Sequence, residues 1–104
     1  MKEYQSVIDG LTSLIADLES ARTECENELM QYGLSDKEIN TQVKDVDAFI
    51  KKMKKDKRDA AGAPKNGYQF TPHCIEDEYK PQYSKLIGKM EEIKQNAVNN
   101  LPQR

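Results

Sequence analysis

Apolar residues recur at helical spacing along the first third of the chain. The heptad positions of this stretch, seven residues apart, hold Tyr4, Leu11, Leu18, Cys25 and Tyr32. Further apolar residues fill the intervals, namely Val7, Ile8, Leu14, Ile15, Ala21 and Leu29. Because such a stripe occupies one face of an α-helix, the pattern predicts a long amphipathic helix over about residues 2–32. Another helix must cover its apolar face.

A helix stop and a helix start stand side by side after this segment. Gly33 fits the left-handed position that commonly follows a helix, and Leu34 can fold back onto the last turn. Ser35 can cap a new helix, and Glu38 three residues later completes a capping box. Leu34 and Ile39 are placed as the hydrophobic staple. The sequence therefore predicts a tight turn between two antiparallel helices.

The second helix, predicted over about residues 36–59, carries an apolar stripe of its own. The stripe consists of Ile39, Val43, Val46, Phe49, Ile50 and Met53. Folding back about the turn places it on the stripe of the first helix, with Arg22 opposite Val46. We expect the Arg22 stem to extend along the seam and its guanidinium to reach Asp45 or Asp47.

The last third of the chain predicts a loop over about residues 60–71 and a third helix over about 72–99. Pro81 restarts or kinks that helix, since proline lacks an N–H group and clashes with the preceding turn. The apolar stripe of the third helix consists of Tyr79, Tyr83, Leu86, Met90, Ile93 and Ala97. The predicted fold is all-α: an antiparallel helical hairpin plus a third helix, in other words a three-helix bundle.

Length and charge fit one small folded domain over residues 1–104. The net charge of −2, from 16 basic and 18 acidic residues, is too small to hold the chain open by repulsion. No apolar run approaches the roughly 18 residues of a membrane span, and the N-terminus lacks the apolar stretch of a signal peptide. We therefore expect no membrane association and a cytoplasmic location.

A basic run closes the second helix. Its members are Lys51, Lys52, Lys54, Lys55, Lys57 and Arg58. Such a run could neutralise nucleic-acid phosphates, and Tyr68 and Phe70 beyond it could stack on bases. Against this, the helix dipole favours cations at a C-terminus. The first helix has two basic and seven acidic residues, a net charge of −5, which can meet the cations within the chain. A solvated helix end or a docking patch for an acidic partner is the preferred interpretation, and nucleic-acid binding is the alternative.

His73 and Cys74, followed by Glu76, Asp77 and Glu78, bring metal-ligand types together. A zinc site usually needs two separated ligand pairs, and this chain has one His beside one Cys. A Cys–His nucleophile pair also needs an orienting group and a substrate pocket. The sequence therefore predicts no metal, no cofactor and no catalytic residue, and the chain is not expected to be an enzyme.

The remaining hypothesis is a protein–protein interaction module: an adaptor, small chaperone, inhibitor or assembly subunit. The first helix, about 45 Å long if it has 30 residues, is longer than its predicted partner helix. We expect part of its stripe to remain uncovered and to bind a protein partner, including a second copy in a homodimer. The predicted partner-binding residues are Tyr4, Val7, Ile8, Leu11, Tyr68 and Phe70.

Overall fold

The backbone is helical in every element of the described part of the chain, which confirms the all-α prediction. The computed structural model describes residues 2–63, 65–67 and 73–101, with backbone alone at residues 2 and 3. The elements are α1 (Lys2–Gln31), α2 (Asp36–Gln42), α3 (Lys44–Ala61), a π-helical turn (Ile75–Tyr79) and α4 (Lys80–Asn99). Together they form a rod whose Cα trace measures 60 × 22 × 15 Å.

The turn between α1 and α2 has the predicted geometry. Gly33 adopts a φ of 92°, and the Leu34 N–H donates to the Leu29 carbonyl at 3.1 Å. The Ser35 hydroxyl accepts from the Glu38 N–H at 3.2 Å, and the Glu38 carboxylate accepts from the Ser35 N–H at 3.1 Å. These bonds satisfy backbone groups that helix ends otherwise leave unpaired. The turn is therefore fixed by local chemistry.

The predicted second helix is divided at Val43, which corrects the expected continuous helix over 36–59. Val43 has φ −101° and ψ 17°, although its N–H still donates to Ile39 and its carbonyl accepts from Asp47, each at 3.0 Å. No proline or glycine stands there. Both Ile39 and Val43 are buried, so we attribute the bend to packing of α2 and α3 on α1. At the far end α3 continues to Ala61.

The third helix begins with a π-helical turn, in which the Lys80 N–H donates to the Ile75 carbonyl five residues earlier. Pro81 follows in the first turn of α4. Because proline lacks an N–H and its ring crowds the carbonyl four residues back, the wider turn ahead of it lets the helix continue. The predicted kink or restart at Pro81 takes the form of this π-helical turn ahead of the proline. The predicted start at residue 72 lies outside the described residues.

The helix α4 runs parallel to α1 and antiparallel to α3. Two contacts with α1 show the parallel direction. A Cβ atom added to Gly10 would lie 2.8 Å from the Ile75 side chain, and further along both helices Lys94 Nζ lies 3.5 Å from Glu28 Oε2. On the other side, Lys89 bonds Asp45. The three long helices therefore share one core. Its most deeply buried side chains are Leu11, Leu18, Cys25, Leu29, Ile39, Val43, Val46 and Met53.

Candidate interaction surface

The N-terminal stripe of α1 is largely covered by its own chain. Val7 and Leu11 are buried, whereas Tyr4 and Ile8 are half-buried. The π-helical turn packs on this part of α1 at Gly10. The expectation that this end of the stripe lacks cover is therefore wrong for Val7 and Leu11. A partner-binding role for these four residues stays a prediction.

The two other predicted partner-binding residues, Tyr68 and Phe70, lie outside the described residues.

Arg22 joins α1 to both α2 and α3 across the bend. Its Nε donates to Asp47 Oδ1 at 2.7 Å, and its terminal nitrogens bond Glu26 at 2.6 Å and Asn40 at 3.0 Å. A second bond to Asp47, at 3.3 Å, completes a two-pronged pair. Of the two predicted partners of the Arg22 guanidinium, Asp45 and Asp47, the structure shows Asp47, and Asp45 pairs with Lys89 instead. Arg22 thus links the segments on either side of Val43.

The electrostatics of Arg22 follow from these bonds. The side-chain hydrogen bond from Arg22 to Asp47 raises the pKa of the guanidinium above its usual value, against an opposing effect of burial. The Arg22 side chain is 19% exposed, so its charge is partly removed from water and its partners must compensate. This cluster has a structural role in the hairpin. Among the described residues, no side-chain nitrogen or oxygen is buried without a hydrogen-bond partner.

Three lysines of the basic run are neutralised within the chain. Lys54 lies 3.1 Å from Glu19 of α1. Lys52 lies 2.8 Å from Asp56 and Lys55 lies 3.1 Å from Asp59, each one turn further along α3. The expectation that the acidic first helix meets part of the run is confirmed by the Lys54–Glu19 pair. These three lysines therefore contribute less to the electrostatic potential outside the molecule than their number suggests.

Asp56 is the centre of a polar cluster between α3 and the π-helical turn. The Tyr79 hydroxyl donates to Asp56 Oδ2 at 2.6 Å, and the Lys52 ammonium lies 4.9 Å from the Tyr79 ring centroid. Burial opposes ionisation of Asp56, but hydrogen bonds from Lys52 and Tyr79, together with the positive charges of Lys52 and Lys55, hold the pKa of this carboxyl below its usual value. The cluster stabilises the contact between the π-helical turn and α3.

Three of the four remaining basic residues of α3 form a line on its outer face. Lys44, Lys51 and Arg58 stand seven residues apart, and all three are exposed. None of them makes an ion pair or side-chain hydrogen bond within the described part of the chain. Seven residues are nearly two helical turns, so the three side chains align at intervals of about 10.5 Å. We call Lys44, Lys51 and Arg58 the basic line.

The opposite face of α3 explains why the basic line points outward. The residues two positions further along, Val46, Met53 and Ala60, are all buried. Two residues turn a helix by about 200°, which places the basic line on the side away from the core. The direction of this line is therefore set by the apolar stripe of the same helix.

Only two of the six residues of the basic run predicted from the sequence, Lys51 and Arg58, belong to the basic line. Lys57, which is half-buried, also has no ion pair among the described residues. Helical spacing alone does not divide the run, because Lys55 stands one turn after Lys51 on the same side of α3. The signal that could have divided it is the acidic residue four positions after Lys52 and after Lys55, namely Asp56 and Asp59.

His73 and Cys74 do not converge with other ligands. His73 is exposed and Cys74 is buried, and no group of three metal-ligand side chains occurs in the described ranges. Burial raises the pKa of the Cys74 thiol and also that of Cys25. A raised pKa keeps both thiols protonated and poorly nucleophilic. The two cysteines are free and act as small apolar core residues.

Two large apolar side chains are exposed among the described residues. Met30 is 52% exposed and Val98 is 41% exposed. Single apolar residues on the surface are normal in monomeric proteins, so neither residue defines a docking surface.

Comparison with known proteins finds no matching family model, no matching curated protein and no matching solved structure. Among the described residues, none of the helices is both long enough and apolar enough to cross a membrane. The functional interpretation therefore depends on the geometry of the chain itself.

Proposed function

We propose that this chain is a non-enzymatic protein–protein interaction module, an adaptor, small chaperone, inhibitor or assembly subunit, which binds through the outer faces of its helices. The observation that carries the proposal is the basic line of Lys44, Lys51 and Arg58. These cations stand at regular intervals on a helix whose other face is locked into the core. A regular array of charges on a rigid support favours orientation and selection of a charged partner.

The partner that fits the basic line best is an acidic helical segment. Acidic residues at heptad spacing on a partner helix repeat every 10.5 Å or so, as the basic line does. The apolar stripes of the chain are already packed on one another. Contact through the outer faces therefore leaves the fold intact, whereas contact through Val7 and Leu11 requires the chain to open.

Photo-cross-linking tests this proposal directly. A photo-reactive phenylalanine analogue replaces Ala48, which is exposed and lies between Lys44 and Lys51. The matched control places the same analogue at Ser84, an exposed position on α4. We expect the analogue at position 48 to form a discrete adduct with another polypeptide, identified by mass spectrometry. The substitutions Lys51→Glu/Arg58→Glu should remove this adduct. No adduct, or equal adducts from positions 48 and 84, would count against the proposal.

The second candidate function is nucleic-acid binding, favoured by the same exposed cations. Its signature differs, because phosphate neutralisation releases counterions and gives a steep salt dependence. Fluorescence anisotropy with a labelled oligonucleotide at about 50 and 200 mM salt distinguishes the two. Saturable binding that falls steeply with salt and disappears in Lys51→Glu/Arg58→Glu would replace the protein-binding proposal. We expect no saturable binding.

A further inference from the structure

A second line of charges, of opposite sign, lies on α1. Asp17 and Glu24 stand seven residues apart, and both are exposed. Neither makes an ion pair or side-chain hydrogen bond among the described residues. They continue the heptad position of Gly10, which faces the π-helical turn. This acidic line, Asp17 and Glu24, therefore follows the edge of α1 that borders α4.

The acidic line and the basic line cannot meet within one molecule. The basic line is on the face of α3 opposite Val46, Met53 and Ala60, which point into the core. The acidic line is on another helix, beside α4, where Glu28 of the same edge pairs with Lys94. The two lines therefore lie on different outer sides of the rod, and each is left without a partner in the described part of its own chain.

We propose that the basic line of one molecule binds the acidic line of a second copy of this chain, with the two rods side by side. This inference rests on the proposed function and names the partner. Both lines repeat every seven residues, so two ion pairs about 10.5 Å apart can form at once between α3 of one copy and α1 of the next. The opposite sign and equal spacing of the basic line and the acidic line make a second copy of this chain the partner that fits.

Residue size at the two lines supports close approach of the helices. Ala48 lies between Lys44 and Lys51 on α3, and Ser13 and Ser20 flank the acidic line on α1. All three are exposed and small. Because the distance between packed helices depends on the side chains at their contact, small residues there let the flanking charges reach their partners.

The contact joins two different surfaces, so it is heterologous, and each bound copy still offers one free line. Association is therefore open-ended and yields oligomers larger than a dimer as concentration rises. A net charge of −2 opposes it little. Exposed ion pairs are individually weak and are screened by salt, so the assembly is reversible and salt-sensitive.

Sedimentation velocity over a concentration series, at about 50 and 500 mM NaCl, tests the inference. We expect the weight-average mass to rise with concentration at low salt and to return to the monomer at high salt. Lys51→Glu/Arg58→Glu and Asp17→Lys/Glu24→Lys each weaken association about tenfold or more, because they place like charges opposite one another. Combining all four substitutions in one chain restores association, because the signs match again.

The matched control is Lys65→Glu/Lys85→Glu, which changes the net charge equally at exposed lysines outside the basic line. This variant keeps the wild-type association, and circular dichroism verifies that each variant remains helical. A wild-type chain that stays monomeric at low salt overturns the inference, as does equal weakening by the control or failure of the fourfold variant to associate. A monomer that still cross-links another protein from position 48 overturns self-association alone and leaves the proposed function standing.

Discussion

The two sides of α3 carry residues of opposite character and have opposite roles. Inward, Val46, Met53 and Ala60 are sealed against the rest of the core. Outward, Lys44 and its two heptad neighbours make no ion pair or side-chain hydrogen bond within the described part of the chain. The inner side explains why the helix is there, whereas the outer side has no part in the packing. This difference separates residues that stabilise the fold from residues that are available to a partner.

The largest effect is expected from Met53→Ala on the inner side. Met53 is 0% exposed, so truncation removes buried apolar surface and leaves a cavity in the centre of the hairpin. We expect a loss of about 3 kcal/mol in the free energy of unfolding, measured by urea denaturation. Met53→Leu is the control, because it conserves volume and should cost less than about 1.5 kcal/mol. Equal losses for the two variants would argue that position 53 is not tightly packed.

The next largest effect concerns Arg22, on the inner edge of the hairpin. Arg22→Met keeps the apolar stem but removes the bonds to Asp47, Glu26 and Asn40. We expect a loss of about 2 kcal/mol, since hydrogen bonds to charged groups are worth more than neutral ones. Arg22→Lys should recover less than half of this, because an ammonium cannot form the two-pronged pair with Asp47. Full recovery by lysine would show that charge alone matters.

A smaller, pH-dependent effect is expected at Asp56. Its pKa is lowered in the folded chain, so its ionised form contributes stability above the unfolded pKa of about 4, and this contribution is lost as pH falls through the folded value. Asp56→Asn should therefore cost about 1.5 kcal/mol at pH 7 and progressively less below pH 4 or so. Thermal unfolding across this range measures the difference.

The control for Asp56 is Asp59→Asn, which removes the exposed pair with Lys55. Its cost should stay within about 0.5 kcal/mol throughout. A constant difference between wild type and Asp56→Asn at all pH values would contradict the role given to the Asp56 carboxylate.

The smallest effects are expected at two glycines, Gly10 on α1, which faces a neighbouring segment, and Gly88 on α4, which faces outward. Gly88 has no neighbouring atom within 4 Å of an added Cβ, whereas at Gly10 that atom would lie 2.8 Å from Ile75. Gly88→Ala should stabilise the chain by about 0.5–1 kcal/mol through helix propensity. Gly10→Ala should lose that gain and destabilise slightly, because the branched Ile75 must shift. Thermal denaturation that ranked both variants above wild type would contradict the close contact.

The parts of the fold that sequence predicts best are those fixed by neighbouring residues. The Gly33 turn and the Ser35–Glu38 capping box depend on bonds within a few positions, and their residue types are diagnostic. The reach of Arg22 to Asp47 followed from the register of two stripes joined by that short turn.

The missed features depend on contacts between distant segments. The bend at Val43 has only a weak local signal, the acidic residues Asp45 and Asp47 in the first turn of α3, and we attribute it to the packing of α2 and α3 on α1. The π-helical turn packs on α1 at Gly10, a contact between segments some 65 residues apart in the sequence. Gly10, a small residue inside a long helix, was the only hint of that close approach. The basic line was present in the sequence, but its separation from Lys52, Lys54 and Lys55 needed the positions of their acidic partners.

The central claim is that the outer side of α3 serves contact with a partner and contributes little to folding. The most direct measurement is the free energy of unfolding of Lys51→Gln/Arg58→Gln by urea denaturation at low protein concentration, where the chain is monomeric. The account predicts a value within about 0.5 kcal/mol of wild type, as for surface positions that have no contacts. A loss of about 2 kcal/mol or more would contradict it, because Lys51 and Arg58 would then stabilise the monomer itself.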